Sequence, residues 1–271
     1  MIDCKKIAEE IKQELKQELD KVADKPRLAI IQVGDNEASN RYVKGKLADC
    51  EEIGIEKLLY KLPPTAVENY VIELVHSLND DDDIHGIIVQ LPLPKHLNEE
   101  RILQSIAPHK DVDGFKKDSP FTPCTPLGVL TLLEKMDVDV KGKMITLVGY
   151  GKLVNKPLFP ILSDMGATVC VCRSNTDRRT RENLLWISDI VITAVGKRGL
   201  IRYSDLQKGT IVIDCGIQVI DGKQYGDCSE DMYEWYDNVT PRVGGMGLMT
   251  RAALMMNVVK AYKEQTNERS I

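Results

Sequence analysis

Two α/β domains with mostly parallel sheets are predicted for this chain, and three observations predict them. Apolar runs at Leu28–Val33, Gly86–Val89, Lys143–Val148, Thr168–Cys172, Ile190–Ala194 and Thr210–Asp214 have the character of strands buried on both faces. Helical patterns or loops separate them, the alternation from which crossover connections build parallel sheets. Between the two groups of strands the chain turns polar and proline-bearing, from Lys116 through Pro123 and Pro126, which marks a domain boundary near residue 118. At 271 residues there is length enough for two modest cores.

The bulk properties narrow the class of partner. A net charge of −5 and a pI near 5.5 argue against nucleic acid or an anionic membrane, both of which select basic surfaces. No apolar stretch approaches the roughly 20 residues of a spanning helix, and the first residues alternate charges where a signal peptide would be apolar, so a cytoplasmic protein is expected. The seven cysteines show no C-x-x-C pair and no histidine cluster of zinc spacing, which predicts reduced, mostly buried thiols and no metal site. The run Asp80–Asp83 reads as a solvated turn, because consecutive carboxylates alternate direction and do not converge on one ion.

Taken in order, Ile7, Ile11, Leu15 and Leu19 repeat at helical spacing and predict an amphipathic first helix. A strand over Leu28–Val33 closes at Gly34-Asp35-Asn36, and a helix follows from about Ala38 to Ile53. It carries Tyr42 and Lys46, four apart and so on one face. The pair is either a solvated surface pair or a lysine made reactive by partial burial, which penalises its charged form. Glu56–Leu62 is a second strand, Val67–Leu78 a second crossover helix, and the third strand ends in Gln90-Leu91-Pro92-Leu93-Pro94. The two prolines stop strand and helix alike, leaving Gln90 at a carboxyl strand end, where open sheets keep their ligand crevices. After a short helix, Asp111 and Asp113 flank Val112, so an amide and a carboxylate are expected over one pocket.

In the second half, a strand to Val148, a turn at Gly149-Tyr150-Gly151 and a helix to about Met165 make the dinucleotide arrangement, with backbone N–H groups meeting a pyrophosphate. The match to G-x-G-x-x-G is partial, since Val154 takes the third glycine's place. Where an NAD enzyme holds the ribose with a carboxylate stand Arg173 and Ser174, which suit a 2′-phosphate; NADP is expected, with NAD as the alternative. Glycine turns at Val195-Gly196-Lys197 and Asp214-Cys215-Gly216-Ile217 close the next two strands, a hairpin and a small helix at Ser229–Tyr236 follow, and a helix from Arg251 to about Glu264 ends the pattern.

Five segments in order, Ser39-x-x-Tyr42-Val43-x-x-Lys46, QLPLP at 90–94, KDVDG at 110–114, PCTPLG at 123–128 and TPRVGGMGLMT at 240–250, resemble the bifunctional methylenetetrahydrofolate dehydrogenase and methenyltetrahydrofolate cyclohydrolase family. The resemblance implies an N-terminal α/β catalytic domain, residues 1–117 joined by the last helix at 251–271, and a Rossmann-like coenzyme domain at 118–250. It implies oxidation of methylene-tetrahydrofolate by NADP, hydrolysis of the methenyl product, and a homodimer. By the same resemblance Lys46 is the catalytic lysine, Tyr42 lines the pterin pocket, Gln90 orients Lys46 and Asp113 holds the pterin, with Leu91, Pro92 and Gly245 also at the folate and Ile217 at the nicotinamide. The departures are Ala48 where a second basic residue is usual, Tyr150, Gly151 and Asn155 in the glycine turn, Gln218, Val243 and Leu248, and a shorter link between KDVDGF and PCTP. A short-chain dehydrogenase also carries Tyr-x-x-x-Lys, but there the coenzyme glycines precede the tyrosine. A non-enzymatic folate- or nucleotide-binding homologue is the other alternative, separated from an enzyme by absorbance at the NADPH band.

Overall fold

Contacts divide the chain into two units, one of residues 1–8 with 125–250 and one of 9–124 with the segment from Arg251 onward, in a computed structural model that describes residues 1–268. The first eight residues fall with the second half of the chain, where the sequence pattern puts them with the first. Their tie is a backbone bond, Ile2 N–H to Val239 O at 3.0 Å, which no helical periodicity signals.

The unit built on 9–124 holds a parallel sheet of order β2-β1-β3, with β1 at Arg27–Val33, β2 at Glu56–Leu62 and β3 at Gly86–Val89. Helices α1 (Cys4–Leu19), α2 (Glu37–Ile53), α3 (Glu68–Asn79) and α4 (Glu99–Gln104) intervene. β1 and β3 are buried throughout or nearly so, as their unbroken apolar runs require. Ala29, Ile31 and Val33 of β1 and Ile87 and Val89 of β3 pack with Val71, Val75 and Ile102 from α3 and α4. β2 lies at the edge with Leu58 and Leu59 exposed, and Glu56, Lys57 and Lys61 on it deter pairing with another chain.

Lys110, the lysine of the 110–114 segment, is buried. Its Nζ donates to the carbonyls of Leu78 (3.0 Å), Asn79 (2.7 Å) and Asp81 (2.7 Å), at the C-terminal end of α3 where the helix dipole favours a cation. Asn257 on the last helix, α9 (Met246–Glu268), donates to Val112 O and Thr122 O at 2.9 Å each and so straps the short link 115–122. That helix begins five residues before the expected Arg251, because the segment's glycines end at Gly247 and the apolar spacing already starts at Met246.

The other unit carries a parallel sheet of order β5-β4-β6-β7, from β4 (Met144–Val148), β5 (Thr168–Cys172), β6 (Ile190–Thr193) and β7 (Ile211–Asp214). The hairpin is present as β8 (Gln218–Ile220) and β9 (Lys223–Tyr225), followed by α8 (Glu230–Trp235). α6 (Asn155–Asp164) and α7 (Arg178–Ile187) are the crossovers. One helix, α5 (Cys124–Lys135), was not expected. Pro126 is tolerated in its first turn, and Leu132 and Leu133 bury its face. All seven thiols are free, and five of them are buried, as expected.

Candidate active site

The carboxyl ends of β1 and β3 set the first group of polar side chains. Gln90 N–H donates to Ile31 O at 2.8 Å, which continues the register Ile31 to Val89 and sets Gln90 beside Gln32. Gln90 is 9% exposed and Gln32 1%. Gln90 Nε2 donates to Leu91 O (2.7 Å) and Gln32 Nε2 to Asn40 Oδ1 (2.6 Å), while both Oε1 atoms are buried with no hydrogen-bond partner. A buried acceptor left unpaired costs about 1–3 kcal/mol, so two side by side mark a place that receives donors. Gln32 was missed by the sequence reading; its signal was a single amide inside the run LAIIQV. Leu91 packs against the core, Pro92 is exposed, and the peptide between them is cis.

α2 is capped by Asn36, whose side chain accepts from Ser39 N–H, and Ser39 Oγ donates to Leu91 O at 3.3 Å, tying the helix to the 90–94 loop. Lys46 is half-buried on this helix. Its charge reaches the Cys124 thiol, which burial and Asp113 push up and Lys46 pulls down. Cys124 Sγ donates to Asp113 Oδ1 at 3.4 Å, so the buried thiol is bonded to the carboxylate and feels the charge of the lysine. Tyr42 is 39% exposed; burial raises its phenol while Arg251 and Arg41 pull it down. Ala48 is exposed and two residues from Lys46, a spacing that turns side chains to different faces, so this departure takes no charge from beside Lys46.

The two carboxylates of KDVDG separate sharply. Asp113 stays half-buried, whereas Asp111 is 1% exposed and accepts Lys116 N–H at 2.9 Å. Gly114 makes the turn at φ 72°, and a Cβ there would sit 2.8 Å from Phe121 O, so no other residue fits. Burial raises the Asp111 carboxyl to about 6, with Asp113 adding to the rise and the Lys116 N–H opposing it. A raised acid contributes stability that is full below its unfolded value near 4 and lost as pH rises through about 6. Asp111→Asn is therefore expected to flatten the fall in unfolding free energy between pH 4 and pH 7 by about 3 kcal/mol. Urea titrations of both proteins across that range check it; identical slopes refute it.

In the other unit, Gly149 turns at φ 91°, and a Cβ there would lie 2.9 Å from Ala194 O. Asn155, fully buried at the start of α6, donates to Val148 O (2.8 Å) and Gly149 O (3.1 Å) and fixes the turn without the third glycine. Beside it opens a cavity of about 500 Å³ lined by Gly149, Tyr150, Gly151, Arg173 and Ser174 among others. Arg173 stacks over the Tyr150 ring, 5.0 Å from its centroid. The glycine turn, the cavity and its cations fit a dinucleotide with phosphates. Ile217 is 46% exposed at the end of β7.

Two carboxylates that the sequence reading did not single out as a pair organise these loops. Asp227, fully buried, accepts Thr193 Oγ1 and Val195 N–H at 2.7 Å and Lys197 N–H at 2.6 Å. Asp214 accepts Gly216 N–H (2.8 Å), Cys228 N–H (2.8 Å) and Tyr233 Oη–H (2.5 Å), and burial raises its carboxyl against these bonds. The signal was Gly226-Asp227 directly after a hairpin. Gly245 belongs to this unit, buried against the Pro241 carbonyl, and is not grouped with Lys46, Gln90 and Asp113. Among the described residues no cluster of three His, Cys, Asp or Glu could hold a metal ion, and no helix is long and apolar enough to cross a membrane.

Comparison with known proteins matches two domain models along the chain. Residues 2–113 match the model of the tetrahydrofolate dehydrogenase/cyclohydrolase catalytic domain, and residues 123–266 that of the NAD(P)-binding domain. Bifunctional protein FolD of Aquifex aeolicus is 40% identical over 275 residues, 96% of this chain and 93% of its own. The crystal structure of bifunctional FolD from Campylobacter jejuni superposes with a TM-score of 0.90 at 40% identity, covering 97% of this chain and 98% of that one. The Trypanosoma brucei enzyme, determined with NADP cofactor and inhibitor, has a TM-score of 0.90 at 28% identity over 98% of both chains. With both domain models matched in order across nearly the whole chain, the protein belongs to the tetrahydrofolate dehydrogenase/cyclohydrolase family.

Proposed function

We propose that the protein oxidises methylene-tetrahydrofolate to the methenyl cation with NADP and hydrolyses that cation to formyl-tetrahydrofolate. The observation that carries the reading is the pair of buried, unpaired amide oxygens of Gln90 and Gln32, in the same unit as Lys46 and as Asp113, to which the Cys124 thiol donates. Asp113 accepts the pterin's N–H groups in charge-assisted bonds and fixes the one-carbon bridge. Tyr42, Leu91 and Pro92 bound the folate. In hydrolysis a water oxygen bonds to the methenyl carbon and gives up a proton to the Lys46 amine, oriented by Gln90. As the formyl C=O forms, the bond from that carbon to one bridge nitrogen breaks, that nitrogen takes the proton back from Lys46, and the water's other proton leaves to solvent.

NADP, when bound, supplies the hydride acceptor. Gly149, Tyr150 and Gly151 line its phosphate turn, Arg173 and Ser174 hold its 2′-phosphate, and Ile217 contacts its nicotinamide. Residues 9–124 with the last helix serve as the folate domain and 125–250 as the coenzyme domain. A cytoplasmic homodimer completes the reading, carried by the family resemblance and checked by light scattering in solution.

Paired assays test the function: NADPH absorbance on adding methylene-tetrahydrofolate with each coenzyme, and loss of methenyl absorbance without coenzyme. Both activities are expected, with NADP preferred. Absence of either signal in a folded protein that binds NADP overturns the bifunctional reading.

A further inference from the structure

Besides Arg173 at the end of β5 and Lys197 in the turn after β6, the cavity beside Gly149 has a third cation, supplied by a helix. Arg181, on α7, lines it together with Arg173, Ser174 and Thr176. Its Nε is buried and has no hydrogen-bond partner among the described residues. A guanidinium nitrogen out of water and unpaired is held at a desolvation cost, and the group it belongs to lines a cavity where an anion would offset it.

The setting of that arginine sharpens the point. α7 has Arg178, Arg179 and Arg181 in or just after its first turn and no acidic residue there, the opposite of what the helix dipole favours. Arg178 is answered by Glu182 at 2.6 Å; Arg181 is not. The segment before the helix is held rigidly. Arg173 N–H donates to Thr176 Oγ1 at 2.9 Å, Thr176 N–H donates to Arg173 O at 3.0 Å, and Asp177 caps the helix through Thr180 N–H at 2.9 Å. Arg173 and Ser174 are thus carried on a fixed turn and Arg181 on the capped helix that follows it. Tyr150, standing where the family pattern has an arginine, carries no charge and instead stacks on Arg173. The positive charge that the glycine turn lacks is supplied from the first turns of α7.

We propose that Arg181 is a specificity-determining residue that, with Arg173 and Ser174, receives the 2′-phosphate of the coenzyme and sets the preference for NADP over NAD, an inference that rests on the coenzyme reading above. The planar fork of Arg181 suits a phosphate dianion and has nothing to bind in a ribose with a free 2′-hydroxyl.

Calorimetric titration of the full chain with adenosine 2′,5′-bisphosphate and with 5′-AMP tests it without reference to turnover. The native protein is expected to favour the bisphosphate by at least about tenfold, and Arg181→Gln to lower that ratio about tenfold, with Arg181→Lys recovering part of it. A ratio unchanged in Arg181→Gln overturns the role of Arg181 while leaving NADP binding intact. If the native protein binds NADP and NAD equally, the proposal also falls. Failure of the native protein to bind either dinucleotide sinks the coenzyme reading itself. Should Arg181→Gln fail to fold, Arg181→Lys decides alone: full retention of the ratio at 0.5 M salt, where a point charge is screened and the fork is lost, argues against the proposal.

Discussion

Lys46→Ala is expected to slow hydrolysis of methenyl-tetrahydrofolate by about 10²–10⁴-fold, the range for removing a positioned acid or base. The expectation follows from what surrounds the amine. Its charge acts on Cys124, which in turn is bonded to Asp113, so lysine and carboxylate share one electrostatic neighbourhood. NADP affinity should persist, because every residue assigned to the coenzyme lies in the other unit. Single-turnover hydrolysis at neutral pH, followed by loss of methenyl absorbance, measures the effect. Lys46→Arg keeps a cation but no usable base, and should be nearly as slow. A loss below about tenfold in both variants would falsify the assignment.

Asp227→Ala is expected to destabilise its unit by about 3–5 kcal/mol and to weaken NADP binding more than tenfold. The carboxylate takes three short bonds, from Thr193 at the end of β6 and from Val195 and Lys197 in the glycine turn after it, all within a site with no exposure. Removing it strands two backbone N–H groups. Part of the loss is offset by ending its repulsion of Asp214. Asp227→Asn should lose nearly as much, since one edge of an amide would turn a donor toward a donor. Urea unfolding with coenzyme titration decides: a change under about 1 kcal/mol with unaltered affinity means the loop holds its shape without the carboxylate.

Most strands and crossovers were legible because both sheets are parallel and buried, which leaves unbroken apolar runs that few other structures produce. What escaped depended on partners distant in sequence. α5 hid behind the prolines of a motif read as a link, and the first residues of α9, before Arg251, behind glycines read as a loop. Of the polar sites, Gln90, Asp113 and Lys46 stood out from position and motif. Gln32 and Asp227 did not, because the first is a lone amide in an apolar strand and the second acquires its meaning from turns about thirty residues away. Arg181 looked like one more surface charge in an arginine-rich helix, and its lack of a partner is visible only in three dimensions.

The lysine of KDVDG has its ammonium wrapped by three carbonyl oxygens at the end of α3. It is thereby withdrawn from acylating reagents in the native protein, while the amine of Lys46, half-buried on α2, stays within their reach. Acylation of the native protein thus spares the signature lysine, whose labelling would report opening of the turn at the end of α3.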